Sequence, residues 1–239
     1  MADKQVKTEQ TDADVVAKAR GFWEANSKMI MIVGSVLILL LGGYFGYKKL
    51  IAEPNEKKAN DLIFPAEKLF GVIASSSSYN KDTVNIVLNG DKASGVTGLL
   101  KIANSYGGTK SGNRAEYMIG ACYLQLKQYD KAIRHLKEFD ANGASQIQSK
   151  AYLLLGHAYA EQKKTDDALD YYKKAGSISD LDEAMASEAL YIAGRYAEAL
   201  GKSKDATELF QELKDNYPAS QRVGSGEVDK YLGSLGVTK

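Results

Sequence analysis

YMIGACYLQLKQYDKAIRHLKEF, Tyr117 to Phe139, is the stretch on which the fold turns. Its apolar residues recur at helical spacing, yet Gly120 lies inside the first apolar run. A glycine in a helix interior costs about 1 kcal/mol relative to alanine. Three, nine, twelve and sixteen residues beyond Gly120 stand Tyr123, Tyr129, Ala132 and Leu136. The same offsets from Gly156 reach Tyr159, Thr165, Ala168 and Tyr172; from Gly194 they reach Ala197, Ser203, Ala206 and Phe210. Glycine thus recurs with an alanine twelve residues later. Two small residues facing each other let helix axes approach toward the short end of the usual range of about 8–10 Å. Gly120 is therefore expected opposite Ala132, with Tyr123 and Leu136 filling the space around the contact.

The three glycines are 36 and 38 residues apart, close to the period of about 34 residues of the tetratricopeptide repeat. Each unit reads as two helices joined by a short turn: LKQYD, QKKTD and LGKSKD. Asp130, Asp166 and Asp205 fall near the starts of the second helices, where a carboxylate complements exposed N–H groups and the helix dipole. One such pair cannot bury its apolar face, so neighbours must stack into a continuous core. The predicted fold class is all-α, a single N-terminal transmembrane helix followed by a tetratricopeptide-type solenoid. Three repeats are placed at residues 114–218, ending at Pro218.

Residues 48–113 are less regular and read as a helical N-terminal cap. NEKKANDLIFPAEKLFGVIA carries an apolar helical face of Leu62, Ile63, Ala66, Leu69, Phe70 and Ile73, with Pro65 kinking the helix or marking its start. SSSSYN reads as a loop. DTVNIVLNG fits helix and strand equally, SGVTGLLKIANSYGG reads as a helix, and GGTKSGN as a turn-rich connection. At the far end, residues 219–239 hold Val228, Tyr231, Leu232 and Leu235, an amphipathic helix able to cover the last repeat.

Between Lys28 and Lys48 lie 19 uncharged residues, MIMIVGSVLILLLGGYFGY. A spanning helix needs about 20 apolar residues, so residues 29–47 are read as a transmembrane helix. Phe22 and Trp23 on one side, and Tyr44, Phe45 and Tyr47 on the other, suit the headgroup level. The rival reading, a cleaved signal peptide, expects an h-region of about 7–15 residues and a small-residue cleavage site, and YKKLIAEP offers neither. Gly34, Gly42 and Gly46 share a face on which another membrane helix could pack; glycine is also simply common in such helices. Residues 1–28 form a tail. Its first dozen residues are polar and expected to be disordered, and Val15, Val16, Ala19, Phe22 and Trp23 then make an amphipathic segment suited to the interface. Three basic residues on the N-side (Lys18, Arg20, Lys28) against four on the C-side (Lys48, Lys49, Lys57, Lys58) do not set an orientation.

The formal net charge is +1 and no run of five basic residues occurs, so nucleic acid has no electrostatic footprint here. Cys122 is the single cysteine, which excludes an intramolecular disulfide and reads as a small buried residue. His135 and His157 fall in different repeats without neighbouring ligands and read as repeat-surface residues. No hydrolase, nucleotide-binding or metalloprotease motif is present. The sequence thus reads as a non-enzyme without cofactor or metal.

The candidate site is a protein-binding groove along the first helices. Its residues are Tyr117, Ala121, Leu124 and Gln125, then Leu153, His157, Ala160 and Glu161, then Tyr191, Arg195, Glu198 and Ala199. An apolar and aromatic groove suits extended segments; equally, these residues could pack against a terminal helix or a partner subunit. A polar tail, an F-x-x-x-N-x-K approach to one span, and LNGD followed by YGGTKSGNRAEYMIGACYLQLKQYDKAIRHLKEF resemble the YfgM-like membrane-anchored tetratricopeptide proteins of the Bacteroidota type. That resemblance implies an inner-membrane protein with a cytoplasmic N-terminus and periplasmic repeats. It implies partners too: Sec translocon subunits, a membrane-anchored periplasmic chaperone and newly exported proteins. Some tetratricopeptide domains clamp a terminal carboxylate with lysines and asparagines; Tyr117 and Ala121 stand in two of those places here. The alternative function is a scaffold subunit of another envelope secretion or outer-membrane assembly complex.

Overall fold

The computed structural model describes residues 2–75, 80–178 and 181–237, which divide into two compact units at Asn55 and Glu56. The first unit consists of helix α1 (Ala2–Tyr47), a π-helical turn (Lys48–Ala52) and the first residues of α2 (Glu53–Ser75). Helix α1 begins at Ala2 and so runs through the polar stretch for which disorder is expected. No proline or glycine interrupts the chain before Gly21, and Ala, Lys, Gln and Glu are good helix formers. Among the described residues one helix is long and apolar enough to cross a membrane, and none of its apolar window is buried within the protein. A Cβ at Gly34, Gly42 or Gly46 would meet nothing within 4 Å.

The second unit is a stack of helices: α3 (Lys81–Asn89), α4 (Leu99–Tyr106), α5 (Lys110–Gln125), α6 (Tyr129–Glu138), α7 (Ser145–Glu161), α8 (Thr165–Gly176), α9 (Glu183–Ala199), α10 (Ser203–Asn216), α11 (Gln221–Gly224) and α12 (Glu227–Ser234). α5 pairs with α6, α7 with α8 and α9 with α10, and each pair packs on the next. One buried cluster runs from Ile63 of α2 through every pair to Val228 and Leu232 of α12.

The glycines have a different partner from the one expected. A Cβ at Gly120 would lie 2.5 Å from Leu136 Cγ, and the nearest atom of Ala132 is its carbonyl oxygen at 3.3 Å. At Gly156 the intruding group is the Tyr172 ring, 2.5 Å away; at Gly194 it is the Phe210 ring, 2.8 Å away. The residue sixteen positions on is thus a knob seated on the glycine. The alanines at 132, 168 and 206 are fully buried in the second helices.

The turns repeat as well. Lys127, Lys163 and Gly201 each have positive φ, at 58°, 60° and 70°. In each turn the next N–H reaches back five residues: Gln128 to Tyr123, Lys164 to Tyr159 and Lys202 to Ala197, at 2.9–3.0 Å. This satisfies carbonyls that the ending helix leaves open. Asp130, Asp166 and Asp205 lie in the first turns of the second helices, and their carboxylates also bridge repeats. Gln162 Nε2 donates to Asp130 at 2.7 Å, Lys202 to Asp166, and Lys173 to Asp205 at 2.5 Å.

Ahead of the pairs, four local readings change or resolve. Pro65 lies inside α2, which is held by the buried Ala59, Ile63, Ala66 and Ile73 despite the lost backbone bond. DTVNIVLNG is helix α3, capped by Asn80, because Val84, Val87 and Leu88 bury one helical face. Only Leu99–Tyr106 of SGVTGLLKIANSYGG is helical; Val96–Thr97 (β2) pairs antiparallel with Gly90–Asp91 (β1). Gly98 approaches the Asn89 backbone there so closely that a Cβ would fall 2.3 Å from it. GGTKSGN is helix from Lys110 onward, because Glu56 of α2 accepts from the first N–H groups of α5. SSSSYN falls largely outside the described residues.

The seated knobs make glycine substitutions opposite in sign. Gly156→Ala is expected to lower stability by about 1–3 kcal/mol through overpacking against Tyr172, despite alanine's better helix propensity. Gly71→Ala, in α2 with open space around it, is expected to raise stability by up to about 1 kcal/mol. Urea unfolding of the two variants followed by circular dichroism checks both signs.

Candidate functional site

A cavity of about 540 Å³ opens where α2, the first turns of α5 and the α6–α7 connection meet. The start of α5 is built from two directions. Thr109 caps it, its hydroxyl oxygen accepting from Gly112 N–H at 2.9 Å. Glu56 of α2 accepts from Lys110 N–H at 2.6 Å, Ser111 N–H at 3.2 Å and Ser111 Oγ at 3.0 Å. These bonds occupy N–H groups that a helix start leaves without partners, so the helix begins four residues earlier than its repeat pattern does. Burial pushes the Glu56 carboxyl up, but the Lys110 and Ser111 donors outweigh it and hold it below its ordinary range.

Arg114 ties α5 to α2 again, donating to Glu67 at 2.8 Å and Asn60 at 3.2 Å. Asn113 clamps the α6–α7 connection: its amide donates to the Asp140 carbonyl at 2.6 Å and accepts from Asp140 N–H at 2.8 Å. Between these polar ties lie apolar walls. Phe70, Met118 and Phe139 line the cavity, Tyr117 packs its ring 5.4 Å from that of Phe139, and Ile147 stands 37% exposed at its margin. Burial raises the Tyr117 phenol above its usual pKa. Lys110 and Arg114 against Glu67 and Asp140 put two charges of each sign on the lining.

The other groove residues distribute along the stack. Tyr191 and Arg195 line a hollow of about 360 Å³ with Tyr172, Ile192, Tyr196 and Ala199, and α12 engages both. Tyr191 Oη donates to Glu227 at 2.5 Å, and Arg195 donates to the Tyr231 hydroxyl while its guanidinium lies 4.3 Å from that ring's centre. Burial, then the Glu227 bond, pushes the Tyr191 phenol up to about 12. Arg222 stacks 4.2 Å over Tyr191 and holds Glu188 with two bonds of 3.0 Å. Ala121, Leu124, Gln125, Leu153, Ala160 and Glu198 are half-buried and line neither hollow, while Ala199 and Glu161 are exposed. His157 is exposed as a residue, and its Nδ1 lies 2.8 Å from the Tyr172 hydroxyl. Its buried side pushes its pKa below 6.5, against an opposing pull from Glu161.

His135 is largely buried, its Nδ1 2.6 Å from Glu116 and its ring stacked on Tyr123. Cys122 is fully buried, and burial pushes its thiol up to about 12, the opposite of a reactive cysteine. Among the described residues no group of three His, Cys, Asp or Glu side chains could hold a metal ion. Of the cavity lining the groove reading held only Tyr117, and Phe70, Asn113, Phe139 and Ile147 are among the residues it missed. Phe70 was legible as part of an apolar helix face and Phe139 as the last letter of the opening stretch. Nothing in the sequence tied Asn113 to Asp140.

A family model for a tetratricopeptide repeat-like domain matches residues 20–225, a span that takes in the apolar segment of α1 and all three helix pairs. No curated protein matches the chain.

The His157 environment sets a pH dependence. A histidine whose folded pKa is depressed binds more protons unfolded than folded, so stability rises with pH. Its contribution is complete above the ordinary value of 6.5 and is lost as pH falls through 6.5 toward the depressed folded pKa. Thermal unfolding is expected to show the melting temperature falling on acidification through that window, with a flatter profile in His157→Gln.

Proposed function

The chain belongs to the tetratricopeptide repeat-like family, and from that premise we propose that it is a membrane-anchored adaptor holding extended protein segments beside the bilayer. Repeat stacks of this kind are protein-interaction modules whose exposed grooves take peptides. The observation that carries the reading is the cavity walled by Phe70, Tyr117 and Phe139. An apolar hollow with a few placed polar groups at its rim suits a bulky apolar side chain on an extended segment. The membrane-length apolar helix α1 supports anchoring, and the family match runs through it.

The finer reading rests on the resemblance to YfgM-like proteins. The tail lies in the cytoplasm and the repeats in the periplasm of the inner membrane. The partners are Sec translocon subunits, a periplasmic chaperone and newly exported clients, which the protein holds or hands on. In the bilayer, the face of Gly34, Gly42 and Gly46 receives a helix of one of these partners, since small residues permit close approach.

Photo-crosslinking from position 117 in native membranes tests this, with Lys204, exposed on α10, as the control position. Capture of translocon subunits or exported chains from position 117 and not from 204 is expected. Recovery of an outer-membrane assembly or secretion machine in their place would favour the scaffold alternative. Protease added outside spheroplasts is expected to digest the repeats and spare the tail; protection of the repeats would reverse the orientation.

A further inference from the structure

Two Asn-Gly dipeptides occur in the chain, Asn89–Gly90 and Asn142–Gly143. By sequence they are equivalent, and the fold makes them unlike. Asn89 is the last residue of α3, its side-chain amide donating to the Asn85 carbonyl at 3.1 Å. The Gly90 N–H donates to the Ile86 carbonyl, and Gly90 sits in the β1–β2 pairing with Gly98 pressed against it. Asn142 and Gly143 instead occupy the two central places of a turn closed by Ala144 N–H to the Ala141 carbonyl at 2.9 Å. Both have positive φ, 49° and 82°, and both are exposed. The Gly143 N–H donates no hydrogen bond among the described residues, and a Cβ added at Gly143 would meet nothing within 4 Å. Asn142 is held only by exposed bonds to Asp140, from its N–H at 2.8 Å and its side-chain amide at 3.0 Å.

We infer that Asn142 is a site of non-enzymatic deamidation and isoaspartate formation, and that Asn89 is protected from the same reaction. Hydroxide takes the proton of the Gly143 amide. The nitrogen attacks Cγ of Asn142, a new C–N bond closes a five-membered succinimide, and the Cγ–Nδ2 bond breaks. Nδ2 takes a proton from water and leaves as ammonia. Water then adds to either succinimide carbonyl and opens the ring, leaving aspartate or isoaspartate at position 142. One water is consumed and one ammonia released, with no oxidant or reductant. Asn89 cannot start along this path until the Gly90 N–H leaves Ile86, which requires local unfolding of the α3 end.

The change falls on the lining of the 540 Å³ cavity. A carboxylate at position 142 loses the amide donor to the Asp140 carbonyl and sets a second negative charge beside Asp140. The isoaspartate form also adds a backbone atom to a turn whose geometry depends on positive φ at both places. The chemistry stands whether or not that cavity binds protein.

Peptide mapping by mass spectrometry tests it on the full chain in mild detergent, aged in mildly alkaline buffer made with oxygen-18 water and compared with the same chain in urea. In the folded protein the peptide containing Asn142 is expected to exchange its amide for a labelled acid, with isoaspartate identified by fragmentation. The Asn142 rate should exceed the Asn89 rate on the order of tenfold or more, the effect of protecting one amide by structure. In urea the two rates should converge. Equal rates in the folded protein, an unmodified Asn142 beside a modified Asn89, or a rate difference that persists unchanged in urea would each overturn the inference.

Discussion

The repeat stack depends on one steric exchange made three times. Glycine in the first helix removes a side chain so that Leu136, Tyr172 or Phe210 of the second helix can seat directly on its backbone. The helix propensity lost is about 1 kcal/mol per glycine. What replaces it is burial of a large side chain in close contact, worth more than that on the scale of apolar transfer. The exchange works only in pairs, since the glycine is a liability until the knob sixteen residues on arrives. That coupling makes two helices one unit and lets successive units share a continuous core.

A stack also has two ends, and here each end closes with polar chemistry as well as apolar packing. At the start, α2 buries Ile63 and Ala66 and lends Glu56 to the open N–H groups of α5. At the finish, α12 buries Val228 and Leu232 while Arg222, Glu227 and Tyr231 engage Glu188, Tyr191 and Arg195. The two ends of the stack are thereby treated differently. Tyr191 and Phe210 of the third repeat pack on Tyr231 of α12, whereas Tyr117 of the first repeat lines a cavity with an exposed margin. Of the two readings left open by the sequence, packing against a terminal helix is what Tyr191 and Arg195 of the third repeat show, and the ligand groove is the proposal made above.

What was legible in the sequence came from periodicity. Gly120, Gly156 and Gly194 with their alanines disclosed the units, and the uncharged run between Lys28 and Lys48 disclosed the long apolar helix. The site was less legible because a cavity is defined by what fails to fill it. Tyr117 could be placed on an outward face by counting, but Phe70 lies 47 residues before it and Phe139 and Ile147 follow in other elements. No spacing rule connects them.

The sequence by itself determined the helical class, the number of repeated pairs and the placing of small residues within them, because these follow from local spacing and side-chain size. Only the tertiary structure decided that the glycines seat Leu136, Tyr172 and Phe210 in place of facing their alanines. It decided likewise that α5 begins at Lys110, because the carboxylate that stabilises that start comes from Glu56, 54 residues away. And it separated two identical Asn-Gly pairs, since whether a backbone amide is bonded or free is a property of the turn that holds it and not of the residues it joins.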